Sequence, residues 1–502
     1  MHSLKKFKSL SKYARLSVII ITLGIILRFS LVFSYHSSGD ACWHLSIARF
    51  MADNLKIPLL EPLGREVFWE PPVFHVTAAT FYKIFNIFFG LNAADFGMKL
   101  VSPIFGSLSL VLTFLILDKL FGKKTAFYSI IFATFLPINI FYSVISYTES
   151  IMAFFVLLSM YLVMSNRFIL GSIAFGISLL SKYNAVFSLP LIIYIMHKNN
   201  KSREFFKKFF IFGSITILIF SPWIIRNYIA LGNPLWPFFT SVFGGYESAE
   251  TFKGNNISSL LNINNLFTLY LGIFGVPEGS YQNIFFFDIP FIEILFPVWI
   301  LATILFLVPI LFYSSKKTAF SKINMLILVW IAPHLLLIAL YVINTSNAYS
   351  RLLVPVVPLL SVIWGLGFSF VIDKLHKFKA VIFFILAILI IVFVAAEFVK
   401  VTLASRAWNF YEDDFDWVKK NTGKDAVFAA GGQCLSYNLN RFTLNPTTDN
   451  IGKADYIWIN QNFRLDMRSI FDEQALKLIK SKNYKIVYSN KATTTFVYEV
   501  KE

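Results

Sequence analysis

Apolar residues run in long blocks through most of this chain, with polar residues gathered in short islands between them. The blocks lie near 16–35, 98–117, 126–142, 148–165, 168–182, 184–197, 209–226, 289–312, 323–343, 350–372 and 379–400. A helix of ~20 residues at ~1.5 Å per residue crosses the ~30 Å hydrocarbon core of a bilayer. The pattern therefore predicts a polytopic α-helical membrane protein with about eleven transmembrane helices. Residues 168–197 are interrupted at SKYN (181–184) and read as two short runs or one broken span.

Two stretches between blocks are long, 36–97 and 227–288. In the first, HLSIARFMADNL (44–55) and VFHVTAATFYKIFNIFFG (73–90) space their apolar residues helically, which predicts two amphipathic helices along the membrane interface. After residue 400 the pattern changes. A polar helical start (YEDDFDWVKKNTG) is followed by short strand-like runs: DAVFAAG, RFTLNP, ADYIWINQ, YKIVYSN and TTTFVYEV. A helix is expected over 468–482. The chain thus divides into a transmembrane part, 1–400, and a small α/β domain, 401–502.

Charge fixes the orientation. The net charge is +17, which in a soluble protein would suggest nucleic acid. Here the basic residues cluster in alternate islands: DKLFGKK, SNR, HKNNKSREFFKK, SSKKTAFSK and DKLHKFK. Such islands stay on the cytoplasmic side. No nucleic-acid partner is expected; the charge belongs with membrane lipid. The basic N-terminus, MHSLKKFKSLSKYARL, lies in the cytoplasm, and with no convincing cleavage site after it the first block is a retained span. An odd span count puts 401–502 outside. The basic, Ile/Lys/Phe/Asn-rich composition points to a prokaryotic cell membrane. Two cysteines cannot build a disulfide framework or a zinc cluster. Cys42 and Cys434 fall on the same expected outer face, so they are either one bridge or two free thiols.

Several charged residues gather at that outer level. Asp40, in SSGDACWH, is placed to cap the helix after it, to act as a general base at the membrane surface, or to do both. Glu70, in FWEPPVFH, is stiffened by Pro71 and Pro72 beside Trp69. It is a plain loop acid, or it orients an acceptor hydroxyl or ligates a metal. His44 and His75 have no recognised zinc spacing. Arg28 sits inside the first block and either snorkels or faces a polar cavity. Lys182, Arg226 and Arg351, with Tyr147, Glu149 and Tyr349, fall near the outer ends of other blocks. Singly these are interfacial anchors. Together, cations and carboxylates at one depth suit a substrate that carries phosphate beside a group losing a proton.

The ordered set resembles the GT-C superfamily of integral-membrane glycosyltransferases. It is most similar to the family-39-like branch, with protein O-mannosyltransferases, lipid A aminoarabinose transferase and the bacterial RgtA/B/C/D-like enzymes. The features are Arg28, then Asp40 and a helix, then Glu70-Pro71-Pro72, Lys182-Tyr183, Pro222-Trp223, and the run from Tyr349 to Pro355. The resemblance implies a polyprenyl-phosphate-sugar donor, a protein, lipid or glycan acceptor, and inversion at the anomeric carbon. It implies Asp40 as catalytic base with Glu70 supporting. Arg226, Arg351, Lys182 and Arg28 become donor-phosphate ligands, and His44, Trp69, His75, Tyr147, Glu149 and Tyr349 line the cavity. No cofactor is required; a divalent metal at Glu70 is possible, as in the aminoarabinose enzyme. Ala41 and His44 depart from the family's usual Asp-Glu and Tyr. The rival readings are a lipid-linked sugar transporter or flippase, a lipid-diphosphate-dependent polysaccharide ligase or polymerase, and an inactive assembly protein.

Overall fold

The computed structural model describes residues 10–37, 39–60, 67–245, 272–273, 326–341, 350–430, 433–460, 473–482 and 484–500. The expected span at 289–312, most of the long stretch 227–288, and Tyr349 lie outside the described residues.

The N-terminal helices follow the apolar blocks. Helix α1 (Lys12–Ser34) is capped by Ser11, whose side chain accepts from the Ala14 N–H. After α2 (Asp40–Asn54) and α3 (Val73–Phe89) come α4 (Leu91–Lys99) and α5 (Val101–Phe121). The block at 126–142 is not continuous. It becomes α6 (Lys123–Phe135) and α7 (Pro137–Tyr142), because Pro137 has no N–H with which to extend α6. Next are α8 (Glu149–Met164), α9 (Phe168–Ser181), a 3-10 turn (Tyr183–Ser188) and α10 (Leu189–Asn199), so the interruption at SKYN is a real break. The 30-residue α11 (Ser202–Leu231) carries Pro222 inside it. Helices α12 (Ala332–Tyr341), α13 (Val357–Lys374) and α14 (Lys379–Asn409) complete this part, with a 3-10 segment, Ser350–Val356, before α13.

Among the described residues, four helices are long and apolar enough to cross a membrane: Lys12–Ser34, Ala93–Phe121, Ser202–Leu231 and His376–Val399. Other expected spans are shorter apolar helices, among them Glu149–Met164 and Phe168–Ser181. Small residues let these helices approach closely. A Cβ on Gly365 of α13 would lie 2.6 Å from the Ser129 backbone nitrogen of α6. Gly365→Val should therefore cost about 1–3 kcal/mol through overpacking. The readout is a lower thermal unfolding midpoint in detergent.

The tail begins with α15 (Glu412–Asn421), whose first turn holds Glu412, Asp413 and Asp414. Strand β1 (Val427–Ala429), α16 (Gln433–Leu439), β2 (Phe442–Leu444), β3 (Tyr456–Asn460), α17 (Glu473–Ser481), β4 (Lys485–Asn490) and β5 (Thr495–Glu499) follow. They form a five-stranded sheet in the order β2-β1-β3-β5-β4. β1 pairs in parallel with β2 and β3, and β5 runs antiparallel to β3 and β4. Buried Asp414 ties α15 to the sheet by accepting from the Tyr488 and Thr495 hydroxyls and the Asn490 amide.

One expectation fails at α2. A helix lying on an interface should bury one face, but α2 buries Ala41 to Arg49 without interruption, then Met51 and Ala52. It is covered on both sides. Trp43, Leu45, Phe74 and Ala78 of the first loop share one apolar cluster with Tyr411, Phe415, Phe428, Leu435 and Trp458 of the tail. Fully buried Phe74 and Phe428 each contribute about 1.5–3 kcal/mol. Helix α3 does keep two faces: Phe74, His75, Ala78 and Tyr82 are buried, while Ile84, Ile87 and Phe88 are exposed.

Candidate active site

Several of the charged residues converge: Asp40, Glu70, Glu149, Lys182 and Arg351, with His44 and His75. Asp40 is the first residue of α2 rather than its cap. Gly39 holds the cap position at φ +54°, a conformation open to glycine, and makes no side-chain cap bond. Freed from capping, the Asp40 carboxylate receives a 2.7 Å bond from Arg351 of the 3-10 segment.

Glu70 is fixed by its flanks. The Phe68 N–H donates to the Leu59 carbonyl, and Arg226 of α11 donates to the Phe68 and Pro58 carbonyls, each at 3.0 Å. Pro72 then starts α3 and turns the chain inward. Glu70 is thereby buried, with Oε1 3.7 Å from Lys182 and Oε2 3.6 Å from His44 Nδ1. Lys182, at the break after α9, also donates to Glu149 of α8 at 2.8 Å. His44 Nδ1 meets His75 Nε2 at 3.0 Å. Tyr147, buried before α8, sets its ring edge-on to His44 at 5.7 Å, and the Arg351 guanidinium lies over the same ring at 5.7 Å. Five segments distant in sequence, 40–44, 70–75, 147–149, 182 and 351, thus build one cluster.

Exposure grades across it. The Asp40 and Arg351 side chains are 31% and 16% exposed, while Glu70 and Glu149 are 6% and 1%. The cluster therefore opens at the Asp40 end. Burial, then the neighbouring acids Glu149 and Asp40, pushes the Glu70 carboxyl up to about 7 against the pull of Lys182. Burial and then Lys182 hold His75 down at about 3. Burial, His75, Lys182 and Arg351 drive His44 well below its ordinary value. Both imidazoles are neutral, the form that binds metals.

His44, Glu70 and His75 each offer a ligand atom within 4.8 Å of the others, and all three are buried. Glu70 Oε2 has no hydrogen-bond partner, a costly state for a buried carboxylate oxygen. Two imidazole nitrogens and a carboxylate oxygen are a zinc-type donor set. The residues present fit a divalent ion.

Not every expected residue joins the cluster. Arg28 is fully buried and donates to the carbonyls of Gly24, Thr134 and Asn139. Its guanidinium thereby joins α1 to the carbonyls on either side of the break at Pro137, and among the described residues it meets no carboxylate of the cluster. Arg226 is committed to the loop carbonyls and lies over the Trp223 ring at 4.8 Å. Trp69 packs against Val67, Leu231 and Trp236. Sequence reasoning missed Arg49, buried in α2 and bonded to Asp95 and to the tail. The stripe Cys42, Ser46, Arg49, at helical spacing, was the available signal.

A family model described as dolichyl-phosphate-mannose-protein mannosyltransferase matches residues 69–225. That segment holds Glu70, His75, Glu149 and Lys182 and stops one residue short of Arg226. No curated protein matches the sequence. Among solved structures, ArnT from Cupriavidus metallidurans in the apo state superposes with a TM-score of 0.63 at 12% identity, over 96% of this chain and 97% of that one. The same protein bound to undecaprenyl phosphate gives 0.62 at 13% identity, with the same coverage. The Archaeoglobus fulgidus oligosaccharyltransferase in complex with zinc and sulfate gives 0.53 at 12% identity, over 96% of this chain and 73% of that one. At such identities the likeness is one of fold, and the fold of this chain is that of the GT-C integral-membrane glycosyltransferases.

Proposed function

We propose that the chain transfers a sugar from a polyprenyl-phosphate donor to a hydroxyl of a protein, lipid or glycan acceptor on the extracytoplasmic face of a prokaryotic membrane, inverting the anomeric carbon. The observation that carries this reading is the Asp40–Arg351 pair at the open end of the buried cluster. A base and a phosphate-seeking cation there sit side by side.

The chemistry follows from the pair. The donor keeps its polyprenyl tail in lipid and brings its phosphate to Arg351. The guanidinium exchanges the Asp40 carboxylate for phosphate oxygens, which it binds in the same fork geometry. Asp40, released, accepts the proton of the acceptor hydroxyl. The hydroxyl oxygen attacks the anomeric carbon, the bond from that carbon to the phosphate oxygen breaks, and its electron pair leaves on polyprenyl phosphate. Arg351 stabilises that growing charge where little water competes. One displacement gives inversion.

Lys182 is hydrogen-bonded to Glu149 and lies 3.7 Å from Glu70, so its charge is spent inside the pocket and Arg351 remains the cation at the open end. His44, Glu70 and His75 would hold a divalent metal, which when bound supplies Lewis-acid stabilisation to phosphate oxygens. His75→Ala should then lower zinc retained after dialysis by about tenfold or more, the range for losing a group that governs metal affinity. Elemental analysis gives the result without reference to activity, and full zinc retention would remove the metal site. The transfer reading itself is tested with purified protein in lipid nanodiscs. Release of polyprenyl phosphate from a polyprenyl-phosphate sugar, dependent on acceptor, is expected; donor translocation without release would sink it.

A further inference from the structure

Helix α2 has two working faces. Asp40 and His44, four residues apart, lie on the side of the cluster. Cys42, Ser46 and Arg49 lie on the opposite side, as the helical repeat requires. That opposite side is fastened to the tail. Cys42 is joined to Cys434 of α16 by a disulfide, 392 residues away in sequence. Arg49 donates to the Tyr437 carbonyl at 2.8 Å and to Asn440 Oδ1 at 3.0 Å, and its guanidinium lies over the Tyr437 ring at 4.6 Å. Its other nitrogen makes a bidentate pair with Asp95 of α4 at 2.8 and 2.7 Å.

The same helix of the tail supports the turn that leads to Asp40. The carbonyls of Ser37 and Gly39 each lie 3.9 Å from Cys434 Sγ. On the other side of that turn, Lys99 donates to the Tyr35 carbonyl at 3.2 Å. Cys42 and Cys434 are both fully buried.

We infer that the Cys42–Cys434 bridge, with Arg49, is a positioning device that holds Asp40 at the reacting centre, so that the tail domain is part of the catalytic apparatus and transfer depends on the oxidised bridge. The inference rests on the function proposed above. Two anchors seven residues apart sit about 10 Å apart along one helix face and stop α2 from rolling or sliding. With a helix radius of about 5 Å, a roll of about 10° moves a side-chain tip by about 1 Å. A misplacement of that size costs about 10²-fold in rate. The switch is chemically balanced. A dithiol such as dithiothreitol gives two electrons, the two protein sulfurs take up two protons, and the dithiol closes into its own disulfide.

The test has three arms. Cys42 and Cys434 are the chain's two cysteines, so maleimide labelling of the denatured protein should find no thiol before reduction and two after it. Two thiols without reduction would overturn the inference. Next, Cys42→Ser, Cys434→Ser and the double variant should show kcat lowered by about tenfold or more while the apparent donor KM moves less than about twofold. The double variant should be no slower than either single one, and dithiothreitol, once maleimide labelling shows that it has opened the buried bridge, should slow the native protein alone. A double variant that transfers at the native rate would refute the idea. Last, hydrogen exchange over 35–49 should quicken in the double variant while exchange over 101–121 stays unchanged. This arm reads the position of α2 without activity. If no sugar is transferred by the native protein, the proposed function fails while the exchange result still decides the device; equal exchange would overturn it. Monodisperse elution of the variants separates positioning from misfolding, since a failed fold would quicken exchange over 101–121 as well.

Discussion

Asn at position 40 should lower sugar transfer by about 10²–10⁴-fold, the range for removing a general base, while membrane insertion and donor affinity are kept. Asn fills the same volume and can still accept a hydrogen bond from Arg351. It cannot take up the acceptor's proton. It also gives up the negative charge that competes with the donor phosphate for Arg351, so the apparent donor KM should stay level or fall. A drop in kcat without a rise in KM is the mark of a group that acts only in the transition state. Release of polyprenyl phosphate in isolated membranes is the measurement. Transfer by Asp40→Asn at the native rate would end the mechanism.

Arg351→Ala should fail in a different way. On the proposed mechanism the guanidinium meets the donor phosphate both before reaction and as charge develops on it, so the apparent donor KM should rise and kcat should fall. Loss of one preorganised donor to such a charge costs about 10²–10³-fold in kcat. Lysine should restore little, because it offers a point charge in place of the planar fork. Asp40→Asn and Arg351→Ala touch one another, separated by 2.7 Å in the native protein. Their double variant should be less impaired than the product of the single effects, as expected of residues that act as a unit. An unchanged donor KM in Arg351→Ala would clear Arg351 of phosphate binding. Strictly multiplicative losses would argue against the exchange of Arg351 between carboxylate and phosphate.

The proposed competition for one guanidinium is consistent with an Asp40 that is only partly buried. A carboxylate sealed beside Arg351 would be a weak base and out of reach of an acceptor. At 31% exposure it has solvent and substrate access while its partner waits beside it. Glu70 is placed differently. Enclosed by Lys182, His44 and the two prolines' turn, it lies deeper in the cluster than Asp40.

The amino-acid order by itself determined what depends on near neighbours. Apolar blocks set the helices, the interruption at Lys182 set a helix end, and alternation after residue 424 set five strands, whereas the break at Pro137 was not read from the block 126–142. The prolines after Glu70 and the recurrence of acids and cations at one depth also singled out Asp40, Glu70, Lys182 and Arg351, which the fold gathers in one cluster. Three things were out of reach. Helical periodicity showed that α2 had a polar stripe, but not that a domain some 390 residues later would cover it, which turned an expected surface helix into a buried one. Spacing along the chain gave His44 and His75 no metal signature, because their nitrogens meet through the fold of a loop rather than through one helix turn. Arg28, inside an apolar block, and Arg351, near the end of one, were both expected at the donor phosphate, yet one reaches carbonyls beside a helix break and the other a carboxylate 311 residues away. Periodicity reports which side of an element prefers oil or water; which partner arrives at that side is decided by packing between segments that share no local sequence.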